Sequence, residues 1–284
     1  MSNTVKRSKL GLWLWLLAFF VMVASAVYQR RTGPTYPLRG RINVAGQQLN
    51  YRLPRSAENI GVARIVIPDP GVPGRVLWRC YPTADPFTVV FMAPESDGNK
   101  KMLTARIPPQ EAAGKVEYRI EIGSSVIPDN DETVILRFKG PVSTPVLISH
   151  ILLIFIAMLI STRAGLGAVF GKDEKNLPWM TLGLVLVGGI ILGAFVQKAA
   201  FGAYWTGWPY GSDWTDNKTL FMFLGWLATC LLMMFPKAKR PAIVFASLLT
   251  LVVYLIPHSL RGSQLNYNQE QSAESFESTL QTDQ

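Results

Sequence analysis

Apolar and polar positions divide the chain into three kinds of sequence. Residues 10–28 form one unbroken apolar stretch behind a short N-terminus carrying Lys6, Arg7 and Lys9. Residues 29–142 are mixed, with short β-prone runs separated by turn residues. Beyond Pro141 come four more apolar blocks, at residues 144–162, 179–196, 219–235 and 242–256, and then a polar tail from Gly262. A helix crossing the bilayer needs about 20 apolar residues, with a lower limit of about 17. The first apolar stretch and the four later blocks therefore predict five spans, the last two near the short end of that range.

The mixed region follows a period of two. Runs at 36–44, 48–53, 61–67, 75–81, 87–92, 102–107, 115–122 and 133–138 recur at the spacing of an all-β sandwich. Lys115–Ile122 alternates strictly and places Val116, Tyr118, Ile120 and Ile122 on one face. Turn chemistry fills the breaks: Ala45-Gly46, Pro68-Asp-Pro-Gly71, Ser96-Asp-Gly-Asn99 and Pro128-Asp-Asn-Asp131.

Three stretches carry a family likeness: Val76-Leu-Trp-Arg79, Met102-Leu-Thr-Ala-Arg-Ile-Pro108, and Ala113-Gly-Lys-Val-Glu-Tyr-Arg-Ile120. On them the segment resembles the immunoglobulin/fibronectin-III-like domains of bacterial envelope proteins. That resemblance implies a core tryptophan on a strand, here Trp78, and a Gly-x-x-x-Tyr pattern ending at Tyr118. It covers about two-fifths of the chain and bears on fold, not activity. The Cys…Trp…Cys spacing of antibody-type domains is absent. The predicted organisation is an N-terminal anchor at 1–28, an immunoglobulin-like β-sandwich at 32–141, a four-helix transmembrane bundle at 144–260 and a disordered tail at 262–284. The fold class is thus a five-span α-helical membrane bundle with an inserted all-β sandwich.

Charge supplies the orientation. The 284 residues are 49% hydrophobic and 17% charged, below the usual quarter of a soluble protein, with a net charge of +9. No nucleic-acid-binding module accompanies that charge, and about half of the basic residues flank apolar blocks, where they meet anionic lipid head groups. Arg163, Lys172 and Lys175 lie between the second and third spans, and Lys237, Lys239 and Arg240 between the fourth and fifth. By the positive-inside rule both loops and the N-terminus are cytoplasmic. The β-domain, the connection between spans three and four, and the tail then face outward from a bacterial inner membrane. Ala24-Ser-Ala26 has the form of a signal-peptidase site, while the length of the stretch and Trp13 and Trp15 fit an uncleaved anchor. Either places residue 29 onward outside. Cys80 in the polar domain and Cys230 in an apolar block cannot meet, so no disulfide is expected.

Candidate chemistry converges on the outer ends of the spans. The protein has two histidines. His150 lies just inside the second span and His258 follows Pro257 at the end of the fifth. Ionisable groups within spans default to a functional hypothesis. Two imidazoles at similar depth could ligate haem or a metal or bind a quinone, or each could be an interfacial side chain satisfied locally. The connection between spans three and four is the second concentration, with Trp205, Trp208, Tyr210 and Trp214 beside Asp213 and Asp216. The aspartates could complete a metal site with the histidines. Alternatively the aromatics form an interfacial belt and Asp216 or Asn217 caps the fourth helix. This loop, followed by Ile256-Pro-His-Ser-Leu260, resembles a family of bacterial inner-membrane proteins, which implies a location and no activity.

Gly189-Ile-Ile-Leu-Gly193 permits close helix approach, and Lys198 is placed to snorkel. No nucleophile–base arrangement can be assembled around either histidine, and no phosphate-binding motif follows Gly165-Leu-Gly167. The leading expectation is a non-enzymatic membrane protein presenting its outer domain to a protein partner. The alternative is a haem-, metal- or quinone-binding protein using His150 and His258. A transporter ranks below both, since the spans carry few charges and show no inverted repeat.

Overall fold

A computed structural model describes residues 2–98, 100–129, 132–172, 175–257, 262, 264, 265 and 267. The chain divides into a helical unit, Met1–Pro34, Val142–Ala199 and Ala203–Gly262, and a β unit built on Thr35–Pro141. Ala200–Gly202 and the described residues after Gly262 belong to the β unit.

The β unit opens with β1 (Leu38–Val44) and β2 (Gln47–Leu53), an antiparallel hairpin. Its two-residue turn holds Ala45 and Gly46 at φ of 50° and 80°, the left-handed geometry of a type I′ turn. Next come β3 (Ser56–Glu58), β4 (Ala63–Pro68), β5 (Gly74–Cys80), β6 (Thr88–Phe91), β7 (Ala93–Asp97) and β8 (Lys100–Ile107). They are followed by β9 (Lys115–Ile122), β10 (Ser125–Ile127) and β11 (Val134–Lys139). One sheet runs β3-β11-β9-β5-β6 with β10 beside β9, and a smaller one runs β4-β8-β7. The β3–β11 pair is parallel and the rest are antiparallel, so the larger sheet is mixed. The strands β3, β7 and β10 go beyond the sequence expectation. β7 contains Pro94, which pairing to β8 tolerates because β7 is an edge strand.

One apolar core joins these sheets. Ile65 and Ile67 of β4 and Ile107 of β8 meet Val76 of β5, Tyr118 and Ile120 of β9, and Leu136 and Phe138 of β11. All four residues of the predicted β9 face are fully buried. The Tyr118 hydroxyl donates to the Pro54 carbonyl at 2.9 Å, which satisfies the single polar atom of that side chain. Trp78 is only half-buried, at the margin of the core.

Two distant segments close onto this unit. Gly140 N donates to Ala200 O at 2.9 Å, and Leu265 N to Ala113 O at 3.3 Å. Lys115 uses its backbone N–H on the Tyr267 hydroxyl at 3.0 Å and its ammonium on Gln264 Oε1 at 2.7 Å. Burial and then the Arg137 guanidinium push the Lys115 ammonium below its ordinary value. Composition predicts a disordered tail from Gly262, yet Gln264, Leu265 and Tyr267 are held by these bonds. The rest of that predicted tail, from 268 onward, lies outside the described residues.

Among the described residues the helical unit has five helices: α1 (Ser2–Thr32), α2 (Thr144–Val169), α3 (Leu177–Phe201), α4 (Trp214–Leu232) and α5 (Pro236–Leu255). Four of them, α1 from Lys9 onward, α2, α3 and α5, are long and apolar enough to cross a membrane. The helix α4 has 19 residues and carries Asp216 and Lys218 in its first two turns, which shortens its apolar part. Large apolar side chains such as Phe20, Phe195 and Phe245 are exposed, while Ala157, Ser161, Ala164, Ala246 and Thr250 are buried. Small residues let backbones approach, and polar ones bond across helices. Trp226 Nε1 donates to Thr250 Oγ1 at 2.8 Å and Ser247 Oγ to Ser161 O at 2.9 Å. The helix α1 runs unbroken through Ala24-Ser-Ala26 and buries Leu14, Ala18, Met22 and Ser25 as one stripe, with Met22 against Met158 and Tyr254.

The middle of α3 departs from the α-helix. Val185–Ile191 forms a π-helical segment, with Gly188 and Gly189 at its centre. A Cβ at Gly188 would stand 2.7 Å from Leu153 Cβ, and one at Gly189 2.8 Å from Thr219 Cγ2. These two glycines seat α2 and α4 against α3.

Candidate functional site

His150 projects from α2 onto the π segment. Its Nδ1 lies 2.8 Å from Gly188 O. A carbonyl only accepts, so the hydrogen sits on Nδ1, and in the neutral imidazole Nε2 keeps its lone pair. The imidazole thereby bonds a carbonyl of the π segment from a neighbouring helix. The ring also lies beside Gly193, where a Cβ would stand in ordinary van der Waals contact, 3.7 Å from His150 Cε1. His258, its expected counterpart, lies outside the described residues.

The connection from α3 to α4 is built by the first turn of α4. Asp213 is the N-cap and accepts from Thr215 N at 2.7 Å. Asp216 Oδ2 accepts from Thr206 N at 2.6 Å and from Thr206 Oγ1 at 3.1 Å. The Thr206 hydroxyl accepts in turn from Gln197 Nε2 at 2.9 Å, which ties the loop back to α3. Asn217 Oδ1 accepts from Trp208 N at 2.6 Å, and Asp213 N donates to Thr206 O at 3.0 Å. A side chain at Gly207 would meet Asp216 Cβ at 2.7 Å, and one at Gly211 would collide with the Thr206 carbonyl. Lys218, buried beside this knot, donates to Ile256 O at 2.8 Å and to Pro257 O at 3.3 Å, closing the end of α5.

Each expected site residue among those described thus has a definite place. Asp213 caps α4, in place of Asp216 or Asn217, because its extended backbone precedes the first helical residue. Asp216 and Asn217 are spent on the loop backbone. Among the described residues no three His, Cys, Asp or Glu side chains converge as a metal site would require. Trp205 donates to Trp208 O at 3.1 Å, whereas Trp208, Tyr210 and Trp214 are exposed. Lys198 reaches over the Tyr204 ring at 5.6 Å, and Tyr204 meets Phe195 edge-on. Thr206, Gln197 and Lys218 went unread in the sequence. Only a polar residue late in an apolar block, such as Gln197, or an early lysine like Lys218, signalled them.

In the β unit Cys80 is half-buried, with Sγ 3.7 Å from Gln110 Oε1. Burial first, and then the Asp85 charge, raise its thiol above the ordinary range. Comparison of the chain with family models, curated proteins and solved structures returned no match.

Proposed function

We propose that this protein is a membrane-anchored binding component. Five spans hold an immunoglobulin-like domain outside the cytoplasm, where it engages a protein partner, and no catalytic step is assigned to it. The observation that carries partner binding is the free end of the larger sheet. Strand β6 closes the order β3-β11-β9-β5-β6, and it leaves Val89 and Phe91 exposed, Phe91 by 76%. An unpaired apolar edge is where a partner adds a strand, and it is a liability unless something covers it.

The immunoglobulin-like reading draws support from β4-β8-β7 and β3-β11-β9-β5-β6 sharing one core and from the buried Tyr118 on β9. Support for five spans comes from chain connectivity. The β unit sits between α1 and α2, and it recovers both the end of α3 at Ala200 and the residues after α5. A chain returning to one side twice crosses an even number of times, so α4 serves as the outgoing partner of α5. The lysines and arginines at 163–175 and 237–240 support a cytoplasmic location for the other side.

Full-length protein purified from its own membranes tests this reading, with Phe91→Asp beside the parent. The expected result is an unchanged melting temperature and loss of co-purifying subunits. An identical set of subunits in both preparations overturns it.

A second reading rests on His150, whose fixed Nδ1–H leaves Nε2 as a ligand atom for haem or metal, or as an acceptor from a quinol. Metal analysis and the visible spectrum of the purified protein decide it. Colourless, metal-free and quinone-free protein from replete cells ends that reading.

A further inference from the structure

Nine lysines and arginines precede the first acidic residue, Glu58, and they equal the whole net charge of +9. Arg30 and Arg31 end α1. Arg39, Arg41, Arg52 and Arg55 belong to the β1–β2 hairpin and the turn after it.

The β unit treats its arginines in two ways. On β4 and β5 each meets a glutamate across the sheet: Arg64 with Glu95 at 2.7 Å, Arg75 with Glu121 at 2.7 Å, and Arg79 with Glu117, while Arg137 on β11 lies over the Phe201 ring at 4.3 Å. Arg119 adds a second contact to Glu121 at 3.4 Å. On the hairpin, among the described residues, no carboxylate pairs with Arg39, Arg41, Arg52 or Arg55. Arg39 lies directly opposite Arg52 in the strand register, and Arg41, two residues along, shares their face. Like charges opposed on a ladder are unfavourable. Arg52 also borders two open grooves, one of about 530 Å³ shared with Arg39 and Arg41, the other of about 330 Å³ shared with Arg55.

We propose that this arginine face binds the phosphates of anionic phospholipid head groups at the bilayer surface. Guanidinium forks match phosphate oxygens in two-point contacts, and opposed arginines are relieved when an anion lies between them. The bilayer is the source favoured by chain length. Leu38 begins six residues after Thr32, where a membrane-crossing helix ends, so an extended link keeps it within about 20 Å of that end. Arg30 and Arg31 continue the same positive run to the helix itself. The proposal rests on α1 being a span and is independent of the β6 edge, so the Phe91 result and this one fail separately.

The test uses full-length protein in a neutral detergent, titrated with acyl-labelled short-chain phosphatidylglycerol or phosphatidylcholine and read by fluorescence polarisation. The expected preference for phosphatidylglycerol is on the order of tenfold or more, falling with salt, and Arg39→Gln/Arg41→Gln/Arg52→Gln removes most of it. Arg41→Gln alone, which faces Asn50 and not another charge, gives a partial loss with the hairpin intact. Equal binding of both lipids by the parent overturns the proposal, and so does a full preference retained in the single and triple variants. Inorganic polyphosphate that displaces the labelled lipid at a lower phosphate concentration than unlabelled phosphatidylglycerol does also overturns it, and assigns the face to a soluble polyanion.

Discussion

The two units bury different mixtures of side chain. The β unit hides Tyr118, Leu136 and Phe138 completely and places paired charges on its outside. The helical unit hides alanine, serine, threonine and glycine around a few large side chains such as Trp226 and Met158, and turns Phe20, Phe195 and Phe245 outward. Each arrangement fits its solvent. Water drives large apolar side chains into a core, whereas hydrocarbon offers them no such reason, and close backbone approach with internal hydrogen bonds takes over. One chain therefore carries two folding rules, and substitutions can separate them.

The largest effect is expected at the cores. Phe138→Ala removes a fully buried ring from β11 and should cost about 3–5 kcal/mol. Phe245→Ala on α5, where the ring is 66% exposed, should cost less than about 0.5 kcal/mol in detergent. Thermal unfolding of the full-length protein reads both, and equal losses would break the comparison.

A smaller effect separates polar contacts. Asp216→Ala leaves the Thr206 N–H and hydroxyl without their acceptor in a buried site and should cost about 1–3 kcal/mol. Glu121→Ala opens the Arg75 pair at the edge of solvent and should cost about 0–1 kcal/mol. Faster proteolysis within residues 202–213 should accompany the first substitution and not the second.

The smallest effect concerns reactivity. Burial and Asp85 keep the Cys80 thiol protonated, so its alkylation should rise with pH through a midpoint above the ordinary value of about 8.5. Asp85→Asn should lower that midpoint. Cys230, buried in α4, should react only after denaturation. Mass-resolved maleimide labelling follows both thiols, and a Cys80 midpoint at or below the ordinary value contradicts this account.

The sequence was most legible where side-chain periodicity is itself the physical cause. In β9, Val116, Tyr118, Ile120 and Ile122 alternate because one face meets a core, and the strand bounds followed directly. The apolar blocks of α1, α2 and α3 were equally plain. The short strands β3, β7 and β10 were not, because pairing to a neighbour defines them and Ser56-Ala-Glu58 has no pattern of its own. The candidate site shows the same limit. Its aspartates and aromatics stood out by composition, but only tertiary contact brings Asp216 to Thr206 and Gln197, 10 and 19 positions earlier in the chain. The π turn in α3 was hidden because Gly188 and Gly189 also suit an ordinary close-packed helix.

That π turn also gives α3 slack in its count of residues. A π segment amounts to one residue more than an α-helix needs over the same length. Deleting a single residue within Val185–Ile191 would tighten the turn to α-helix and leave the helix beyond it in phase. The same deletion in α2 would rotate everything after it by about 100° and turn its buried stripe outward. Variation in length among descendants of this gene should therefore be tolerated at the middle of α3, and the imidazole of His150 would lose its carbonyl whenever that happened.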